Sequence, residues 1–298
     1  MTKLIQCIPN FSVGRCTCTM DGIVSIAKSV GGVSLLDYSA DESHNRMVVT
    51  MVGDVSGIKT AAIELAKYAC SNIDLTKHTG EHPRMGAVDV IPFVPIKNVD
   101  MEECIELSRE VAAAVAELCG IPVFLYEESA SKDARKNLAS IRRGEFEGMA
   151  KKMEKPAWAP DFGPSQPHPT AGVVAIGARM PLIAFNVNLG TSDINIANNI
   201  AKVVRASGGG LQFCKAIGVM LEDRNIAQVS MNMVNYEGTP LYRAVELIRA
   251  EAKRYGVSIV GTELIGLTPA KALIDSAEYY LQMEGFDYTR QVLENHLL

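Results

Sequence analysis

Short apolar runs alternate along the chain with longer segments whose apolar residues recur every three to four positions. These two periods predict strands and helices in succession. In the first half they place strands over 4–8, 33–37, 46–52, 86–95 and 123–127. Helices fall over 21–30, 55–70 and 101–118, with a charged surface helix over 131–152. Pro9-Asn10 ends the first strand, Gly31-Gly32 stops the first helix, and a polar turn over 39–45 joins two strands into a hairpin. In the second half the pattern predicts a strand over 182–188 and a helix over 193–206, closed by Gly208-Gly209-Gly210. Strands over 216–221 and 227–234 follow, then a helix over 240–255, a strand over 258–263 and a helix over 269–283.

Each half therefore reads β-α-β-β-α-β with helices added at its end, the split βαβ or ferredoxin-like arrangement. The expected fold class is α/β (α+β), with two such subdomains, 1–180 and 181–298. Each should hold a four-stranded, mostly antiparallel sheet, and a ligand cleft is expected between them. A faint internal echo supports two similar halves: 44–52 (HNRMVVTMV) resembles 224–234 (RNIAQVSMNMV), each in the second strand of a hairpin. Between the halves, 155–172 carries Pro156, Pro160, Pro164, Pro167 and Pro169 together with Trp158, Phe162 and His168. A proline-rich linker is one reading. A stiff loop lining the cleft accounts better for its single Trp.

Composition narrows the function. With 48% apolar and 21% charged residues the chain is an ordinary globular protein. A net charge of −5 argues against nucleic-acid binding, which normally shows a basic face. Seven scattered cysteines resemble no disulfide framework and suit a reducing compartment. No run of about 20 apolar residues occurs and the N-terminal stretch does not read as a signal peptide, so a soluble, cytoplasmic protein without membrane contact is expected.

The chemistry concentrates in 78–93 (HTGEHPRMGAVDVIPF), where a loop turns into a strand. It gathers His78, His82, Arg84, Glu81 and Asp89 around the turn-formers Gly80, Pro83 and Gly86. Histidine titrates near neutrality and can accept and return a proton. Arginine offers a planar fork for a carboxylate. The spacing His78-x-x-Glu81-His82 also matches an inverted zinc motif, but that motif needs a helix, which Gly80 and Pro83 oppose. No metal is expected.

This run resembles the signature of the glutamate formimidoyltransferase (glutamate formiminotransferase) family. So do Cys7-Ile8-Pro9-Asn10-Phe11-Ser12, Asp161-Phe162-Gly163-Pro164 and Ile183-Ala184-Phe185-Asn186-Val187-Asn188-Leu189. The resemblance implies transfer of a formimino group from N-formimino-L-glutamate to N5 of tetrahydrofolate, in histidine degradation and one-carbon metabolism, with tetrahydrofolate as co-substrate. It implies two α/β subdomains with folate between them, and matches His82 to the catalytic histidine. The folate-binding stretch matches Gly163, Pro164, Ser165, Gln166, Pro167, His168, Pro169, Thr170, Ala171 and Gly172. Arg84 is the candidate for holding a substrate carboxylate, with a salt bridge to Glu81 or Asp89 as its structural alternative.

The chain departs from the family at Val13 and Ser39, where acids are common. Asp37, Asp41 or a backbone carbonyl would then orient His82. Formyl transfer between 5-formyltetrahydrofolate and glutamate, and a non-catalytic folate-binding protein, are the alternatives. A homodimer is expected. In some organisms the family is fused to a cyclodeaminase domain, which is not expected in this chain.

Overall fold

Pro9 lies between β1 (Leu4–Cys7) and β2 (Asn10–Phe11), two pieces of one extended segment. A proline cannot donate to a ladder, and the pairing breaks there. The computed structural model describes residues 3–296, in two units, Met1–Arg179 and Met180–Leu298.

In the first unit α1 (Thr17–Ser29) leads to the hairpin β3 (Val33–Asp41) and β4 (Arg46–Gly53). β4 buries every second residue, as a strand with one face on a core must. Asp54 caps α2 (Val55–Asn72) by accepting the Gly57 N–H at 2.8 Å. After β5 (Val88–Lys97), α3 (Met101–Cys119) starts at a reciprocal Asp100–Glu103 capping box. It ends at Gly120, whose φ of 63° favours glycine. β6 (Val123–Leu125), α4 (Leu138–Arg142), α5 (Glu145–Met153) and β7 (Val174–Ala178) complete the unit.

β4 pairs antiparallel with β3, β1 and β2, and the β1–β2 segment pairs antiparallel with β5. β5 then runs parallel to β7, and β7 parallel to β6. The sheet thus has seven strands rather than four. Alternate residues of β7 enter opposite cores. Val174 and Ile176 join the one under α1–α3, and Ala175 joins Val90, Phe124, Ile141 and Met149 in the one under α4 and α5. A strand covered on both faces is a continuous apolar run, and β7 shows no alternation from which it could be predicted.

Two further expectations are corrected. The segment 131–152 is not one helix, because Gly144, at φ 96°, separates α4 from α5. Residues 155–172 do not join the two units; they belong to the first and precede β7.

The second unit runs β8 (Ile183–Leu189), α6 (Ile194–Val204), β9 (Cys214–Leu221), β10 (Ile226–Met233), α7 (Leu241–Arg254), β11 (Ile259–Ile265), α8 (Ala270–Leu281) and α9 (Tyr288–Gln291). Its antiparallel sheet has the order β11-β8-β10-β9. Ile183, Phe185, Val187 and Leu189 of β8 pack into a core with Ile200, Val204 and Ile248. Asn188 alternates to the other face, where it and Gln228 hydrogen-bond to each other and to Glu263. Among the described residues no helix is long and apolar enough to cross a membrane.

Candidate active site

The loop ahead of β5 is held by its backbone and by close approaches that only glycine permits. A Cβ on Gly80 would meet the His44 carbonyl oxygen at 2.3 Å, and one on Gly86 would meet that of Val173 at 2.0 Å. The Glu81 N–H donates to the Ser43 carbonyl, and Ser12 Oγ donates to the Gly86 carbonyl at 2.7 Å. Asn45, at φ 48°, ties the two loops further: its Nδ2 donates to the Thr79 carbonyl, and its Oδ1 accepts the Gly14 N–H.

The two histidines of this loop have different fates. His78 Nε2 donates to the Asn45 carbonyl at 2.9 Å, and its Nδ1 accepts from Arg84 Nε at 3.2 Å. Both nitrogens are occupied, so His78 is a structural brace. His82 Nδ1 lies 2.7 Å from the Pro83 carbonyl, which can only accept, so Nδ1 carries the ring hydrogen. The Nε2 lone pair is left free, with no partner among the described residues. A backbone carbonyl therefore orients His82. Asp41 reaches it only at one remove, pairing with His44 at 3.2 Å, and the His44 ring lies edge-on to that of His82 with centroids 6.1 Å apart. Of the two departures, Val13 is buried in the core and Ser39 sits exposed on β3 opposite Val48.

The charges that act on His82 belong to a buried ion cluster. Asp89 is fully buried on β5; its Oδ1 accepts the Met85 N–H at 3.0 Å. Its Oδ2 accepts from Arg46 Nη1 at 3.0 Å and from Arg142 Nη2 at 2.6 Å. Arg46 Nη2 also donates to Asn10 Oδ1 at 3.0 Å, which is how the Pro9-Asn10 turn enters the site. Burial pushes the Asp89 carboxyl up, but Arg46, Arg142 and the Met85 N–H together hold it below its usual value. Desolvation first, and then Arg46 and Arg142, lower His82 to about 4 against the weaker opposing pull of Asp89. At neutral pH His82 is thus a neutral imidazole with an open Nε2.

Arg84 does not have a free fork. Its guanidinium is bidentate to Glu147, Nη1 at 2.9 Å and Nη2 at 2.6 Å, and Nη1 also reaches Glu145 at 3.1 Å. The partners are residues of α5, neither Glu81 nor Asp89. Only 9% exposed, Arg84 clamps the loop to α5.

The stretch 163–172 reaches the same region through its backbone. The Leu75 N–H donates to the Thr170 carbonyl, the Ala87 N–H to the Ala171 carbonyl, and Val173 to Met85. His168 Nδ1 accepts the Ala171 N–H at 3.0 Å, so His168 shapes its own turn. Ala171 and Gly172 are buried structural positions, and a Cβ on Gly172, at φ 70°, would meet the Met85 carbonyl oxygen at 2.2 Å. Gly163, Pro164, Ser165, Gln166 and Pro169 are exposed, while Pro167, His168 and Thr170 are half-buried. Trp158 packs edge-on against Phe124 at 6.5 Å under the Lys152 ammonium, and Phe162 rests on the main core.

Sequence reasoning passed over Arg46, Arg142 and Asn10. Arg46 stood in the repeated HNRM segment and Asn10 in the Pro9-Asn10 turn, so both had a signal. Arg142 was hidden in a segment read as a solvated helix. Among the described residues no group of three His, Cys, Asp or Glu side chains is gathered for a metal ion.

A neutral histidine with an open nitrogen, beside two arginines that share one carboxylate, can exchange a proton with a bound anionic molecule. A family model, the N-terminal subdomain of the formiminotransferase domain, matches residues 4–179, and the model of the formiminotransferase domain matches 184–295. The chain belongs to the formiminotransferase family. It is 62% identical to a glutamate formimidoyltransferase of Streptococcus pyogenes serotype M1 over the whole of both chains. It is 48% identical to one of Thermoplasma acidophilum, over 96% of this chain and 94% of that one. A formimidoyltransferase-cyclodeaminase of Gallus gallus is 42% identical over 95% of this chain but 53% of its own length.

Proposed function

We propose that this protein transfers the formimino group of N-formimino-L-glutamate to N5 of tetrahydrofolate, releasing L-glutamate and 5-formiminotetrahydrofolate. The observation that carries the reading is His82, a neutral imidazole with its Nδ1 hydrogen fixed on Pro83 and Nε2 open. The relatives named above support the choice of substrates. N5 attacks the amidine carbon and forms a C–N bond. His82 Nε2 takes the proton that N5 loses and delivers it to the glutamate nitrogen, whose bond to the same carbon then breaks. One group serving both steps keeps protons balanced without a metal or a second base.

Tetrahydrofolate is a co-substrate here. The exposed part of 163–172, Gly163 to Gln166 with Pro169, is the portion able to meet it. Ala171 and Gly172 act through the loop's anchorage.

The test is to incubate the protein with tetrahydrofolate and N-formimino-L-glutamate and to follow 5-formiminotetrahydrofolate by absorbance, beside a reaction offering 5-formyltetrahydrofolate and glutamate. Product in the first reaction that depends on His82 is the expected result. Turnover confined to the second reaction would replace the donor, and binding of folate without turnover in either would reduce the protein to a folate binder.

A further inference from the structure

Asp89 Oδ2 accepts from two guanidiniums at once, 3.0 Å from Arg46 and 2.6 Å from Arg142. Two cations on one anion leave one positive charge in excess. Arg46 is the more saturated, since its second terminal nitrogen is on Asn10. Of the three guanidinium nitrogens of Arg142 only Nη2 has a protein acceptor among the described residues, and Nε is buried without a partner. Buried donors left unmatched are costly, and those of Arg142 call for an acceptor. The charges that act on His82 are those of Arg46, Arg142 and Asp89; the ring of His44, which pairs with Asp41, lies edge-on to it, and Glu81 and Arg84 are its neighbours along the chain.

We infer that Arg46 and Arg142 form the seat of a substrate carboxylate beside His82, and that this carboxylate is the α-carboxylate of the formimino donor. The assignment rests on the transfer reaction proposed above. The α-carboxylate is borne by the carbon that carries the departing nitrogen, so it must lie near the group that protonates that nitrogen. The other carboxylate sits at the end of a flexible arm and is under no such constraint. Arg84 cannot take the role, because its fork is filled by Glu147 and its surroundings carry surplus negative charge. Seating an anion also bears on the chemistry. It cancels the excess positive charge facing His82, so the imidazole becomes a better base once the donor is bound.

The experiment compares two donors, N-formimino-L-glutamate and N-formimino-4-aminobutyrate, which lacks only the α-carboxylate. The wild-type enzyme should prefer the first by about ten- to hundredfold in kcat/KM, the usual worth of a charge-assisted hydrogen bond. Arg142→Gln should lose most of that preference through a raised KM for the glutamate donor, with the KM for tetrahydrofolate unchanged. In the wild type the acid limb of kcat should lie at higher pH than that of kcat/KM, a displacement that a merely structural arginine would not produce.

A folded Arg142→Gln enzyme that discriminates as strongly as wild type would overturn the seat. So would a wild-type enzyme that treats the two donors alike, an outcome independent of how any variant folds. Calorimetry with L-glutamate and 4-aminobutyrate separates this idea from the reaction itself. If binding prefers glutamate through Arg142 while no transfer occurs, the seat stands and the proposed reaction fails.

Discussion

The loop over 78–89 is flanked by two ion clusters with inverted stoichiometry. At one, the Arg84 guanidinium is held by two carboxylates, Glu145 and Glu147. At the other, the Asp89 carboxylate is held by two guanidiniums, Arg46 and Arg142. Arg84 is two residues from His82 and Arg142 is sixty away, yet the distant arginine has nitrogens to spare. Nearness in sequence to His82 therefore says little about which arginine can hold a ligand. What decides is how many anions the fold has already placed on it. The two histidines differ in the same way, His78 having both nitrogens engaged and His82 only one.

The largest expected effect tests that difference directly. His82→Ala should lower kcat by about two to four powers of ten, the usual contribution of a positioned acid–base group. Folate affinity should change little, because the imidazole acts on the proton in flight. His78→Ala should cost much less in kcat and show mainly as lower stability, since it removes a brace between the loop and Asn45. Steady-state kinetics on the pair, with denaturation curves beside them, decides the matter. Equal losses in kcat at both positions would erase the distinction between brace and base.

The next effect is on stability. Asp89→Asn keeps the shape of the side chain but leaves Arg46 and Arg142 facing each other over a neutral amide. Breaking a buried ion pair by removing one partner costs about 3–5 kcal/mol, and urea denaturation should show a loss of that order. A loss no greater than that of an ordinary surface substitution would mean that water, and not Asp89, compensates the two guanidiniums.

The third effect concerns pH. Folding lowers His82 to about 4, chiefly by desolvation, from a usual value near 6.5. Between those values the unfolded chain binds a proton that the folded chain refuses, so this contribution to stability is complete above about pH 6.5 and is lost as the pH falls toward 4. His78, whose burial also lowers it, adds a slope of the same sign. Denaturation of the wild type and of His82→Gln at a series of pH values should give a shallower acid decline for the variant. Superimposable declines would show that His82 keeps its ordinary titration in the folded protein.

Much of the fold was legible from local pattern. α2 and α3 stand where apolar spacing put them, and the β3–β4 hairpin was marked by the polar turn over 39–45. The parallel edge was not, because β7 is apolar on both faces and follows a proline-rich stretch that was placed between the two halves. The break between α4 and α5 rests on one glycine in the left-handed region, which charge periodicity does not reveal. In the site, the turn-formers around His82 marked the loop, whereas the arginine partners of Asp89 come from 43 and 53 residues away from it. Pairings of that length are settled by topology, and the same gap hid the glutamates that occupy Arg84.

The smallest effect is the one expected at Arg84, and it sharpens the opening comparison most. If Arg84 is a clamp between the loop and α5, Arg84→Gln should leave the preference for a donor with an α-carboxylate intact. Its cost should appear in stability, at about 1–3 kcal/mol for a charged hydrogen-bond network that keeps some exposure to water. Glu147→Gln should produce a similar but smaller loss, because Glu147 is the more exposed partner and Glu145 remains to share the charge. The decisive reading is the ratio of kcat/KM for the two donors in Arg84→Gln set beside that in Arg142→Gln. Should Arg84→Gln abolish the preference and Arg142→Gln preserve it, the roles of the two clusters would have to be exchanged, with Glu145 and Glu147 giving way when the donor binds.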